Sequence, residues 1–339
     1  MLNKFKWPKF IAEISANHCG KIEIAKKLIK CAKENGADAV KLQTYTADTM
    51  TINSKKKYFK INSGLWKNKY LYELYDKAST PLKWHKELFS YAKKIKIKIF
   101  STPFDESAVD FLEKLNCPLY KVASFEMNDH LLIKKIAQTK KPIIISTGMA
   151  SFDEIKESYN IAKKYGAKHI CLLYCVSNYP SKIEDFNLNN ILILKKNFKC
   201  TIGLSDHSNN NMVSIIARSE GAEVFEKHIA LKNQKKGFDI AFSLKGNQIK
   251  SFIEQVNLVD EIKGKKFFYR NKSEKKSLIF RRSIFAINNI KKGEKFTKSN
   301  IRKIRPGFGI SPKFYSEILG KKSTKNISSE EPILKNHFR

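Results

Sequence analysis

The sequence contains no C-x-x-C pair. Its six cysteines, Cys19, Cys31, Cys117, Cys171, Cys175 and Cys200, show no His/Cys spacing suited to a structural zinc. Most lie in apolar or helical stretches and read as reduced small hydrophobes. No apolar run reaches membrane-spanning length, and the N-terminal MLNKFKWPKF lacks the uninterrupted apolar stretch of a secretion signal. The expectation is a soluble, cytoplasmic protein with no membrane partner. Acidic residues are also scarce: 32 Asp and Glu stand against 65 Lys and Arg, for a formal net charge of +33. Such a field favours anionic partners, whether nucleic acid or phosphorylated and carboxylated small molecules. The lysines, however, are scattered along the chain (Lys26, Lys27, Lys30, Lys33; Lys93, Lys94, Lys96, Lys98) and form no single arm. A nucleic-acid footprint would cluster. A lysine-coated surface with no nucleic-acid partner is therefore expected; the rival is a basic nucleic-acid-binding protein on an inactive barrel.

What is present is material for a core. Of 339 residues 42% are hydrophobic and 12% aromatic, enough for one large domain and a small one. Short β-rich apolar runs recur at 10–15, 39–44, 97–102, 119–124, 142–147, 170–175, 201–206 and 224–229. Helical patterns lie between them at Ile22–Glu34, Trp84–Lys96, Glu106–Leu115, His130–Gln138, Phe152–Tyr165, Leu188–Lys195 and Asn211–Glu220, and a last one follows at Gln248–Glu261. Ser151-x-x-Glu154 forms a capping box, and Gly36, Gly166 and Gly221 stand just past helix ends. This alternation predicts a (β/α)₈ TIM barrel over 1–261. The alternative is an open doubly wound sheet, but the first βα turn (Asn17–Gly20) lacks a dinucleotide-type glycine fingerprint.

Two segments break the rhythm. Residues 45–81 make a long connection after the second strand, expected at the C-terminal face and beside a substrate pocket. Residues 262–279 are basic, weakly patterned and read as a linker; 280–339, with short strands and clustered Gly and Pro, reads as a second small domain.

Barrel enzymes take their chemistry from strand ends. Here the strands carry Glu13, then Lys41 and Gln43, then Lys121 leading to Ser124, then Ser146, then Ser177 and Tyr179, then Ser205-Asp206-His207, and finally Glu226 and His228. Charged residues in several strands of one barrel are costly unless they converge on each other, a metal or a ligand. Lys41 and Gln43 share one strand face, as do Glu226 and His228. His207 and His228, on adjacent strands with Glu226 and Asp206 nearby, suit a divalent ion, Mn²⁺ or Mg²⁺ first and Co²⁺ or Zn²⁺ next. A hydrogen-bonded structural role is the alternative for either histidine taken alone. The lysines and serines would bind phosphate or carboxylate, with a Schiff-base lysine as the alternative. His18 and His85 are candidates for substrate contact, whereas His130, His169 and His337 sit in surface-like contexts.

The ordered set IAEIS-N-H-G (11–20), VKLQT (40–44), FSTPFD (100–105), YKVAS (120–124), ISTGM (145–149), GLSDHS (203–208) and EKH (226–228) resembles the nonulosonic acid synthases, the family of sialic, legionaminic and pseudaminic acid synthases. RRSIFAINNIKKGE…IRPGFG (281–309) resembles that family's C-terminal antifreeze-like (SAF) domain, so the likeness covers nearly the whole chain. The resemblance implies condensation of phosphoenolpyruvate with the open-chain aldehyde of an N-acetylated six-carbon sugar, with release of phosphate. It also implies roles. His207 and His228 would hold the metal, and Lys41, Lys121, Ser124, Ser146 and Ser205 would grip phosphoenolpyruvate. Glu13, Gln43 and Glu226 would orient water and move protons, and Ser177, Tyr179 and Asp239 would contact the sugar. Arg305 would reach the partner subunit's barrel in a homodimer with exchanged C-terminal domains. SGLWKNKYLYELYDKASTPLKWH (63–85) and FDIAFSL (238–244) resemble the pseudaminic branch, implying 2,4-diacetamido-2,4,6-trideoxy-L-altrose as acceptor, with Trp66, Tyr72 and Trp84 lining its pocket.

Overall fold

The computed structural model describes residues 5–265 and 267–339. Met1–Lys4 and Lys266, which fall in the predicted barrel domain and linker, lie outside the described residues. The chain divides into two compact units, Met1–Gly264 and Lys265–Arg339.

In the first unit eight parallel strands follow one another around a closed barrel: β1 (Phe10–Glu13), β2 (Ala39–Thr44), β3 (Lys98–Pro103), β4 (Tyr120–Val122), β5 (Ile143–Ser146), β6 (Ile170–Cys175), β7 (Thr201–Asp206) and β8 (Val224–Ala230). Closure is made by β1 on β8, with Phe10 opposite Phe225 and Glu13 opposite His228. A two-residue strand, β9 (Leu244–Lys245), adds to the end of β8. The strands are almost wholly buried, as expected of parallel strands covered on both sides.

The helices outside are α1 (Ile22–Glu34), α2 (Ala47–Met50), α3 (Leu71–Ala78), α4 (Leu82–Lys94), α5 (Glu106–Lys114), α6 (His130–Gln138), α7 (Phe152–Lys164), α8 (Asn189–Asn197), α9 (Met212–Ser219) and α10 (Gln248–Lys263). Their starts are chemically marked. The Asp105 carboxylate accepts from Ser107 and Ala108 N–H at α5, Asp129 does the same for Leu131 and Leu132 at α6, and Ser151 and Glu154 cap α7 reciprocally. Gly36, Gly166 and Gly221 take positive φ just past α1, α7 and α9. The long connection after β2 is not simply a loop: it holds α2 and α3, and α4 starts at Leu82, two residues before the sequence pattern suggests. Pro81 sets that start, because its ring fixes φ at the residue before the helix.

The second unit contains α11 (Lys272–Lys276), the antiparallel pair β10 (Ser283–Ala286) and β11 (Ile301–Ile304), and α12 (Tyr315–Ile318). Its own small core includes Ile284, Phe296, Ile301, Ile318 and Ile333. His337, expected at the surface, is buried there, and its backbone carbonyl accepts from Thr324 N–H.

Candidate active site

Alternation along β2, β4 and β8 turns Lys41, Lys121 and Glu226 into the barrel, where all three are buried. The Glu226 carboxylate is shared. One oxygen is in contact with the Lys121 ammonium and accepts from Ser205 Oγ at 3.1 Å, and the other lies 3.9 Å from Lys41 Nζ. Lys41 is also in contact with Glu13 and donates to Thr102 Oγ1 at 3.1 Å. Two cations and two carboxylates thus form one dry cluster. Burial alone would push the Glu226 carboxyl up, but Lys121 and Lys41 reverse this and hold it below the usual carboxylate range. Burial likewise works against the Lys41 ammonium, and Glu13 with Glu226 more than offsets it, so Lys41 is held above its ordinary value. For Lys121 burial wins, and its ammonium is pulled below the ordinary lysine value despite Glu226. Gln43 lies half-buried two residues along from Lys41, opposite Thr102.

The ends of β4, β5 and β6 bring several hydroxyl groups together. Ser124 Oγ accepts from Gly148 N–H at 3.2 Å and lies 3.0 Å from Cys175 Sγ. Ser146 Oγ is buried with no hydrogen-bond partner among the described residues, and Glu226 Oε2 also lacks one. Buried polar atoms left without partners at strand ends point to a polar ligand. Gly148 lets these side chains pack directly against its backbone: a Cβ there would come within 2.1 Å of Ser177 Oγ and 2.8 Å of Ser124 Oγ.

His207 and His228 stand over the other side of the cluster, with ring centroids 5.5 Å apart. His207 Nδ1 lies 3.2 Å from the Val176 carbonyl oxygen; donation there leaves Nε2, 3.5 Å from Ser205 Oγ, with its lone pair free. Burial first, and the neighbouring His228 second, push His207 down to about 3, so it is neutral at ordinary pH. His228 Nδ1 faces Asp239 Oδ2 at 3.4 Å. Phe242 packs against both rings, and Tyr179 lies 4.5 Å from His207.

The structure also redistributes several expected residues. Asp206 does not face the histidine pair; it points outward from β7 to Lys227, because alternation that turns Ser205 inward turns its neighbour out. Asp239 is buried against His228. His85 does not reach the site: it ties α4 to β2 through Thr44 Oγ1 at 2.8 Å and the Pro81 carbonyl at 3.2 Å. His18 is likewise spent on Thr80 Oγ1 and Gly20 N–H. Burial pushes both of these histidines down to about 4. Of the three aromatics expected along the pocket, Trp84 packs edge-on to His18 and Tyr72 donates to Asp48, leaving Trp66, whose ring lies 6.0 Å from Tyr179. A cavity of about 750 Å³ opens beside it, lined by Leu65, Trp66, Lys69, Phe238, Ile240 and Ala241 among others. Arg305 is exposed on the second unit.

Thr102, Gly148, Phe242 and Asn17 were not singled out from sequence. Asn17 Nδ2 donates to the Ile229 carbonyl and Ser243 Oγ, and its Oδ1 accepts from Asp239 N–H, so it fixes the loop that carries Asp239. Their signals were faint: a threonine opposite Gln43 in register, and an asparagine in the first βα turn. No group of three or more His, Cys, Asp or Glu side chains among the described residues is arranged to hold a metal ion. No helix among them is long and apolar enough to cross a membrane.

Comparison with known proteins gives two family matches: the NeuB family over residues 28–267 and the SAF domain over 281–339. The chain is 46% identical to a pseudaminic acid synthase of Helicobacter pylori, over 96% of each chain. It is 39% identical to an N,N'-diacetyllegionaminic acid synthase of Campylobacter jejuni, over 95% of this chain and 98% of that one. Among solved structures, an N-acetylneuraminic acid synthetase from Leptospira borgpetersenii in complex with citrate superposes with a TM-score of 0.71 at 27% identity, covering 82% of this chain and 94% of that one.

Proposed function

This chain belongs to the NeuB family, and we propose that it condenses phosphoenolpyruvate with 2,4-diacetamido-2,4,6-trideoxy-L-altrose, giving pseudaminic acid and phosphate. The observation that carries the condensation is the buried cluster in which Lys41 and Lys121 share Glu226, with the unsatisfied Ser146 hydroxyl on a neighbouring strand. The 46% identity to a pseudaminic acid synthase supports the choice of sugar.

In this reading Lys41 and Lys121 receive the phosphate and carboxylate of phosphoenolpyruvate, and Ser124, Ser146 and Ser205 add hydroxyl donors. Gly148 lets Ser124 and Ser177 pack close to its backbone, and its N–H donates to Ser124 Oγ. Carbon 3 of the enol attacks the aldehyde carbon, water adds at carbon 2, and the bond from carbon 2 to the bridging oxygen breaks to release phosphate. Glu226 and Glu13 are the buried carboxylates available to take a proton from that water, with Gln43 orienting it. An ammonium pulled below its usual value, as at Lys121, is a competent donor to a developing alkoxide.

The donors at His207 and His228 suit a divalent cation: His207 is neutral, its Nδ1 is engaged by the Val176 carbonyl, and Asp239 stands behind His228. These two residues would hold Mn²⁺ or Mg²⁺, with Co²⁺ or Zn²⁺ as further candidates. When bound, the ion supplies Lewis-acid polarisation at the aldehyde oxygen. Ser177, Tyr179 and Asp239 orient the sugar, and the Trp66-lined cavity takes its distal acetamido and deoxy carbons. Arg305 completes the site from the partner subunit of a domain-exchanged homodimer. The setting is the cytoplasm, where phosphoenolpyruvate is made.

The test is phosphate release with phosphoenolpyruvate and each of three acceptors: the altrose derivative, its legionaminic counterpart and N-acetylmannosamine. Turnover is expected with the first. Preference for N-acetylmannosamine would defeat the sugar assignment, and no turnover with any acceptor would defeat the condensation.

A further inference from the structure

Behind the two histidines lies a second, outward-facing network. The β7–β8 register pairs Ser205 with Glu226 and then Asp206 with Lys227, and there it ends. The inner row is closed by the Ser205–Glu226 hydrogen bond and the outer row by an ion pair, Lys227 Nζ to Asp206 Oδ2 at 2.9 Å. Both members are almost fully buried beneath the helices, Lys227 at 4% and Asp206 at 1% exposure, with the Phe252 ring of α10 5.8 Å from Nζ. Lys227 also donates to the Ser208 carbonyl at 2.7 Å, while Asp206 accepts from Ser208 N–H at 2.8 Å and from Ser214 Oγ of α9 at 2.8 Å. His207 is therefore flanked by two residues that Lys227 grips. Lys227 is in turn the residue between Glu226 and His228.

No ladder bond holds residue 207 against 228, since the strand pairing stops one row earlier. The other anchors of His207 run toward the β6 side: its carbonyl accepts from Ser181 N–H, and its ring faces the Val176 carbonyl. Beyond the main-chain ladder, the side chain of Lys227 ties β8 to the His207 turn through Asp206 and the Ser208 carbonyl. A buried ion pair is poor evidence for stability, because well-packed apolar residues often replace one without loss. Its placement between the two histidine-bearing turns points to a different use.

We infer that Lys227 and Asp206 are positioning residues that set the spacing of His207 and His228 for a divalent cation. This rests on the reading of the two histidines as metal ligands. Outer groups of this kind typically govern about 10- to 100-fold in metal affinity.

The test is Mn²⁺ binding to the full chain, read from the loss of the free-ion electron paramagnetic resonance signal, together with the thermal midpoint. In Lys227→Met/Asp206→Leu both charges leave together, so the midpoint should fall only by what Ser208 and Ser214 lose as hydrogen-bond partners, while the Mn²⁺ dissociation constant rises about 10-fold or more. The isosteric Asp206→Asn provides a second arm should the double variant fold poorly, with a smaller rise of about threefold or more expected. Unchanged Mn²⁺ affinity in folded protein of either kind would overturn the positioning role. Binding that survives in His207→Ala/His228→Ala, or is absent from the unmodified chain, would instead overturn the metal assignment and the inference with it.

Discussion

Replacing Glu226 with glutamine keeps the shape of the side chain and removes the charge that two buried ammonium groups share. At an effective dielectric near 20, a pair 3.9 Å apart, as for Lys41 and Glu226, attracts by ~4 kcal/mol, and Lys121 is closer still. Part of that is the return on desolvating the charges. The net cost of removing one partner from a buried network is about 3–5 kcal/mol. Glu226→Gln should therefore lower the free energy of unfolding by that amount in a urea titration followed by tryptophan fluorescence. The variant also leaves Glu13, in contact with Lys41, as the remaining carboxylate of the cluster, so an anionic ligand gains where the protein has lost. Phosphoenolpyruvate should then raise the thermal midpoint of Glu226→Gln by more than it raises that of the unmodified chain, through preferential binding to the folded state. Turnover should fall sharply in the same variant. Unfolding free energy within about 1 kcal/mol of the unmodified chain, with an unchanged response to phosphoenolpyruvate, would refute the idea of a charge cluster built around an anion.

Gly148→Ala places a methyl group among Ser177, Ser124 and Cys175, and should raise the KM for phosphoenolpyruvate by at least about tenfold in a phosphate-release assay while circular dichroism stays unchanged. Glu126, half-buried with an unsatisfied oxygen, is pushed up by burial to about 7. Because its folded value lies above its unfolded one, the folded state holds the proton longer and stability falls as pH rises from about 4.5 to about 7. Glu126→Gln should remove that fall, which denaturation at pH 5 and pH 8 would reveal as a gain at the higher pH only. Trp66→Ala should raise the KM for the diacetamido acceptor about threefold or more, from lost apolar contact, and leave the KM for phosphoenolpyruvate unchanged. Mixing Arg305→Ala chains with Lys121→Ala chains should restore part of the turnover that each lacks; no complementation would count against the exchanged dimer.

Much of this molecule was legible before any coordinates. Eight apolar runs alternating with helical patterns gave the barrel, because a parallel strand buried on both faces and an amphipathic helix have different periods. Period-two alternation puts Lys41 with Gln43 and Glu226 with His228 on shared strand faces, and in the structure Lys41 and Glu226 are buried together with Lys121. It did not say which lateral neighbour each would meet. Thr102 beside Lys41 and the Asp206–Lys227 pair depend on the register between strands, which no single strand encodes. The long connection after β2 was harder still. Gly-Leu-Trp and Thr-Pro-x-x-Trp-His look equally aromatic in sequence, yet packing sends Trp84 toward His18 and leaves Trp66 at the cavity. His85 and His18 looked free for the same reason, and tertiary hydrogen bonds to Thr44 and Thr80 occupy them.

The central claim is that this barrel joins phosphoenolpyruvate to an aldehyde sugar with cleavage of the bond between carbon 2 and oxygen. It is tested most directly by following phosphoenolpyruvate labelled with ¹⁸O in the bridging position by ³¹P NMR, with and without 2,4-diacetamido-2,4,6-trideoxy-L-altrose. The account predicts inorganic phosphate that retains the label, formed only when the sugar is present and in step with a nine-carbon acid seen by mass spectrometry. Unlabelled phosphate, or phosphate released without the sugar, would contradict it.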